Sequence, residues 1–154
     1  MNIFFLSQDP KTCAEMHCDQ HVVKMIVEYG QMLSTAHRVC GNEDERLYKI
    51  AHLNHPSTKW CRAYHDNYHY LLSLWYWLTN EYQNRYFRVH ATQKRLQDVI
   101  FNIPPLPSGA SEIPQCMPDK YKSADPIKAY RRFYKYDKSR FATYKFTNKP
   151  FFME

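Results

Sequence analysis

The 154-residue chain has only three glycines, and its most apolar run, Leu71-Leu72-Ser73-Leu74-Trp75-Tyr76-Trp77-Leu78, is eight residues long. A run that short excludes a bilayer-crossing helix, which needs about 20 residues. Disordered low-complexity sequence is excluded as well, because 44% hydrophobic and 16% aromatic content can bury enough surface to offset chain entropy. No basic residue precedes the short apolar stretch Ile3 to Leu6, and Asp9-Pro10 follows it, so a signal peptide is not expected. The five cysteines (13, 18, 40, 61 and 116) are odd in number and lack paired Cys-x-x-Cys spacing. That usage argues against a disulfide framework and reads as reduced thiols, so a cytoplasmic location is expected.

What is present is basic charge, unevenly spread. The formal net charge is +6, and between Asp119 and Lys149 ten basic residues stand against three acidic ones, a local net of +7. The remainder is close to neutral. In Ala129-Tyr130-Arg131-Arg132-Phe133-Tyr134-Lys135-Tyr136-Asp137-Lys138-Ser139-Arg140-Phe141, rings alternate with cations. Cations bind phosphates and rings stack on bases, so a polyanionic partner is expected. A tyrosine-packed helix with a merely solvated cationic face is the plainer reading of the same stretch.

The order of signals predicts one all-α domain spanning 1–154. Asp9-Pro10 is a cap followed by proline at the first helical position, and Asp19 is a second cap candidate. From there the spacing of Val22, Ile26, Tyr29, Leu33 and Ala36 predicts one amphipathic helix to Val39. Cys40-Gly41-Asn42 stops it, and a brief helix is expected over Leu47 to Leu53. Asn54-His55-Pro56-Ser57 opens the longest helix, continuing to about Val89 with a break near Asp66-Asn67. Five prolines between Ile103 and Pro118 make that stretch a loop, after which Asp125-Pro126 starts the basic C-terminal helix.

At 100° per residue from Val22, the core set falls within about 40° of zero, while His21, Lys24, Glu28, Gln31 and Thr35 fall between about 180° and 260°. His21 and Glu28 are two turns apart with Lys24 between them. A histidine, an ammonium and a carboxylate in one stripe can move protons or stabilise a cation, although a Lys–Glu pair four apart is more often a solvated surface pair. The His-x3-His pair His17 and His21, with Cys13 or Cys18, allows a zinc alternative. No other close-spaced ligand pair supports it, so neither metal nor cofactor is expected.

The succession Asp19-Gln20-His21, Glu28 seven residues later, Asn54-His55-Pro56, Asn80-Glu81-Tyr82-Gln83-Asn84-Arg85-Tyr86, Ile113-Pro114, Met117-Pro118-Asp119-Lys120-Tyr121 and Tyr144-Lys145 resembles the phage pyrimidine-dimer DNA glycosylases of the endonuclease V type and their bacterial relatives. The resemblance implies a small helical enzyme that flips a nucleotide and attacks its glycosidic carbon with the N-terminal α-amine. A free α-amine keeps an appreciable neutral fraction at physiological pH, as such a nucleophile needs. It also implies that Glu28 stabilises the cationic sugar and shuttles protons.

Two positions depart from the family pattern. Asn2 is too large for removal of the initiator, so the amine would be that of Met1. The arginines flanking the family glutamate are replaced by Val27 and Gln31.

The combined reading is a monomeric DNA N-glycosylase with lyase activity on a damaged or modified base. Glu28, His21, Met1, Asn2 and Lys24 form its catalytic set, and His17, Gln31, His55, Lys128, Arg131, Arg132, Lys135, Lys138 and Arg140 contact DNA. A non-catalytic nucleic-acid-binding protein and an enzyme acting on a nucleoside or free nucleotide are the alternatives.

Overall fold

The computed structural model describes residues 1–154 and contains six α-helices and no strand. They are α1 (Pro10–Met16), α2 (Asp19–Val39), α3 (Pro56–Ala63), α4 (His65–Tyr86), α5 (Ala91–Ile100) and α6 (Pro126–Phe133). A π-type turn covers Tyr134–Lys138, and short 3-10 turns cover Asp119–Tyr121 and Phe151–Met153. The all-α expectation holds. No helix is long and apolar enough to cross a membrane.

Helix α4 is the hub, packing on α1, α2 and α3. Its Trp75 indole donates to the Ile26 carbonyl of α2 at 3.0 Å, so the largest buried side chain also satisfies its polar atom. Val22, Ile26, Tyr29, Leu33 and Ala36 are all fully buried, as their spacing predicts. On the next face of α2, a Cβ at Gly30 would lie 2.9 Å from Leu96 Cδ1, so glycine there lets α5 approach closely.

The N-terminal segment Ile3–Leu6 is extended and fully or almost fully buried. Phe5 meets the rings of Trp60, Tyr70 and Tyr130, and Phe4 those of His21, Phe133 and Tyr134. Burying each such ring contributes about 1.5–3 kcal/mol. No strand partners this segment. The Phe4 amide donates to Tyr29 Oη (3.1 Å), the Cys13 thiol donates to the Phe4 carbonyl (3.1 Å) and accepts from the Leu6 amide (3.3 Å), and Arg131 Nε donates to the Leu6 carbonyl (2.8 Å).

Several boundaries differ from expectation. The helix expected from Asp19 to Val39 spans those residues, with Cys18 rather than Asp19 as its cap, and it is separated from α1 by His17-Cys18, where both residues are extended. Distant groups take the backbone polar atoms that the break leaves over. Arg85 donates to the carbonyls of Glu15 (3.0 Å) and His17 (2.7 Å), Cys18 N–H donates to Tyr134 Oη (2.9 Å), and Asp19 N–H donates to the Thr143 carbonyl (2.9 Å).

Leu47 to Leu53 forms no helix, because the Leu47 and Tyr48 carbonyls are held by the Arg38 guanidinium, and Ile50 and Leu53 face solvent. The cap of α3 is His55 rather than Asn54, and the break before α4 falls at Tyr64, two residues earlier than expected. Helix α5 was not expected. It is capped by His90 and packs through Leu96, Val99 and Ile100.

The proline-rich loop is ordered by the start of α4: the His65 and Asp66 amides donate to the Pro107 and Gly109 carbonyls at 2.8 and 3.1 Å. Asp125 caps α6 as predicted, accepting from Ile127 N–H.

Candidate active site

One face of α2, the N-terminal segment, the start of α3, the proline-rich loop and the turn after α6 enclose a cleft of about 290 Å³. It is lined by Met1, Asn2, His21, Lys24, Glu28, His55 and Lys138, together with Phe4, Met25, Cys116 and Phe133. All five residues expected to be catalytic, and two of those expected to contact DNA, therefore line one cavity.

The N-terminus is anchored where it enters the cleft. Asn2 Nδ2 donates to the Cys116 carbonyl (2.7 Å), while its Oδ1 accepts from Ile3 N–H (2.9 Å) and Ser57 Oγ (3.3 Å). The Thr58 hydroxyl donates to the Met1 thioether (3.7 Å). His55 caps α3 by accepting from Ser57 N–H (3.1 Å), and burial and then the nearby terminal amine hold its pKa below the usual histidine value.

On α2, His21 is wedged between rings. It stacks on Phe4 at 4.6 Å, and Tyr134 and Phe141 meet it edge-on. Burial, reinforced by His17, Lys138 and Lys24, pulls its pKa down to about 3, so the imidazole is neutral at physiological pH. Lys138 lies over the Phe133 and Phe4 rings at 4.8 and 5.8 Å, and its pKa is lowered chiefly by burial. Glu28 is half-buried and has no hydrogen bond or ion pair with the protein. Lys24 does not form the i,i+4 pair that the spacing allows. An unpaired carboxylate among cations and rings can stabilise developing positive charge on a bound molecule.

A larger recess of about 460 Å³ is lined by Asp19, Gln20, Tyr86, Phe141, Thr143, Lys145 and Phe146. Its one carboxylate is already used: Asp19 accepts from Arg85 (3.2 Å), the Thr143 hydroxyl (3.0 Å) and Lys145 N–H (2.9 Å). The smaller cleft is where unsatisfied chemistry is concentrated.

Other expected residues lie elsewhere. His17 cannot reach DNA: it is fully buried, with Nδ1 2.8 Å from the Cys13 carbonyl and Nε2 2.8 Å from Tyr29 Oη. The same bonds remove the zinc alternative, since both ring nitrogens are occupied and no three His, Cys, Asp or Glu side chains converge. Gln31 is half-buried one turn beyond Glu28 and outside the cleft lining. Lys128, Arg132 and Arg140 are exposed. Arg131 and Lys135 are partly committed, Arg131 to the Leu6 carbonyl and the Phe151 and Phe152 rings, Lys135 to the Glu154 carbonyl at 2.9 Å. The lining residues Phe4, Cys116 and Phe133 were not foreseen, as they arrive from segments with no periodic relation to α2.

Residues 1–95 match the model of a family described as pyrimidine dimer DNA glycosylase, a span that includes every cleft residue up to His55. No curated protein and no solved structure matches the chain. With more than half of its length covered by that match, in an all-helical fold, the chain belongs to the pyrimidine dimer DNA glycosylase family.

Proposed function

We propose that the chain is a DNA N-glycosylase that removes a damaged or modified base at the cleft between α2 and the N-terminal segment. The observation that carries this reading is the gathering of Met1, His21, Lys24, Glu28 and Lys138 around one cavity while Glu28 remains unpaired. The α-amine of Met1 attacks C1′, the bond from C1′ to the base breaks, and the base leaves with its electron pair. Ring opening then gives a Schiff base, from which elimination cleaves the strand.

Glu28 lies beside the developing positive charge and accepts the proton that the amine loses. Lys24 and Lys138 hold the flanking phosphates, and rim residues such as Arg140 extend that grip. Extruding the nucleotide costs a few kcal/mol, which these phosphate contacts offset. With Val27 and Gln31 beside Glu28 in place of arginines, His55 in the cleft lining is the residue that contacts the damaged base.

Glu28→Gln keeps the shape of the side chain and removes its charge. It should lower base release by about 10²-fold or more while leaving DNA affinity within about twofold. The assay is mass spectrometry of bases freed from duplexes carrying single-base lesions or hypermodified bases, and, for pyrimidine dimers, of bases freed after photoreversal of the dimer. Borohydride should trap the wild-type protein on DNA through Met1. Wild-type binding with neither base release nor trapping would establish the non-catalytic alternative, and unchanged turnover in Glu28→Gln would remove Glu28 from the mechanism.

A further inference from the structure

Tyr134 sits in the turn after α6, fully buried, with its hydroxyl between two groups of the α1–α2 region. It accepts the Cys18 amide at 2.9 Å and lies 2.8 Å from His21 Nδ1. A phenol has one proton to give. With the Cys18 amide already donating, and with the neighbouring Cys18 thiol and Tyr144 hydroxyl outside hydrogen-bond geometry, that proton is directed at His21 Nδ1, which then carries a lone pair. A proton on Nδ1 would instead set two donors on one oxygen and turn the phenolic O–H away from its nearest acceptor, towards the Cys18 thiol and the Tyr144 hydroxyl that lie farther off. Nε2 has no protein partner and is the ring nitrogen left to the cleft.

A second tyrosine–histidine pair in the same core has the opposite arrangement. Tyr29 Oη accepts the Phe4 amide and lies 2.8 Å from His17 Nε2, while His17 Nδ1 faces the Cys13 carbonyl, an obligate acceptor. His17 is therefore the Nδ1–H form, and the two histidines of the His-x3-His motif are held in different tautomers.

We propose that Tyr134 is a positioning residue that fixes His21 as the Nε2–H tautomer, so that His21 serves the cleft as a neutral hydrogen-bond donor and not as a proton acceptor. The functional half rests on the glycosylase reading. A donor there meets the carbonyl oxygen of the departing base, which gains negative charge as the bond to C1′ breaks. The tautomer itself is independent of that reading. The titratable groups around His21 are Lys24 and Glu28 on its own helix, His17 and Cys18 at the α1–α2 junction, and Tyr134 and Lys138 in the turn. The two lysines add to burial in disfavouring an imidazolium.

Long-range proton–nitrogen correlation spectra of the ¹⁵N-labelled protein between pH 5 and 8 test it. His21 should show a protonated Nε2, a bare Nδ1 and no titration over that range. In Tyr134→Phe, Nδ1 loses its donor, so a mixture of the two neutral tautomers should appear. The kcat for base release should then fall at every pH from 5 to 8, in proportion to the lost Nε2–H form, while KM for DNA is unchanged. His21→Gln, whose amide N–H replaces Nε2–H, should lose less activity than His21→Ala.

A wild-type His21 that is Nδ1–H or cationic in this range overturns the proposal, as does a Tyr134→Phe protein whose spectrum and kcat are identical to wild type. If Tyr134→Phe does not fold, the wild-type spectrum alone decides. If the wild type releases no base at all, the function fails while the tautomer is still read directly.

Discussion

The two imidazoles of the His17/His21 motif carry an energetic cost that depends on pH. His17 and His21 are neutral in the folded state, with pKa values pulled down to about 4 and about 3 by burial. In the unfolded chain both revert towards about 6.5. Between these values the unfolded chain binds more protons than the folded one, so stability is fully present above about pH 6.5 and falls as pH drops towards 4. The urea midpoint should decrease between pH 7 and pH 5, with these two rings contributing a slope approaching two protons and His37, His55 and His90, whose pKa values burial also lowers, adding to it. A flat midpoint over that range would show that the two rings are not held neutral. Residue identity alone made His17 look like His21; the difference lies in two buried hydroxyls, of Tyr29 and Tyr134, which arrive from elsewhere in the chain.

At the scale of elements, the break between α1 and α2 sets where the α2 face begins. Arg85, 2% exposed, holds it by binding the Glu15 and His17 carbonyls together with Asp19 and Glu81. Arg85→Met should destabilise the fold by about 3–5 kcal/mol, because it leaves the Asp19 carboxylate buried without its cation. Denaturant titration measures this, and a loss below about 1 kcal/mol would mean that the Thr143 and Lys145 bonds suffice for Asp19.

The same break shows why the sequence was legible only in part. The α2 core stripe and the His21/Lys24/Glu28 face follow from helical spacing alone, and the Asp9 and Asp125 caps from local chemistry. The break does not, because its partners are 66 to 126 residues away. Helix α5 went unseen because few of its positions are buried and its cap is a histidine. Cys116 reaches the cleft through a loop whose path is set by Asn2 and Tyr130, which no periodicity could reveal.

Across the whole molecule, the excess charge of the last quarter divides into free and committed cations. Lys138 lines the cleft, and Arg140 joins Lys138 in an adjoining polar recess with Tyr136 and Asp137. Each should contribute about one unit to the slope of log affinity for duplex DNA against log salt. Lys138→Ala and Arg140→Ala should each flatten that slope by about 1. Arg131→Ala should change the slope less and instead lower the unfolding midpoint, since its guanidinium supports the Leu6 carbonyl. Equal slope changes for all three variants would mean that the charge acts as one undivided patch.

The buried segment Ile3–Leu6 also constrains how the protein is made. Its neighbours include Tyr130, Arg131, Phe133 and Tyr134, and Asn2 is tied to Cys116. On a ribosome adding about 5–20 residues per second, the segment waits about 6–25 s before those partners are synthesised. Until then Ile-Phe-Phe-Leu is an exposed apolar tetrapeptide on the nascent chain. This part of the core therefore closes only after residues 130–134 have been made, and the tetrapeptide offers a chaperone an apolar binding segment in the meantime.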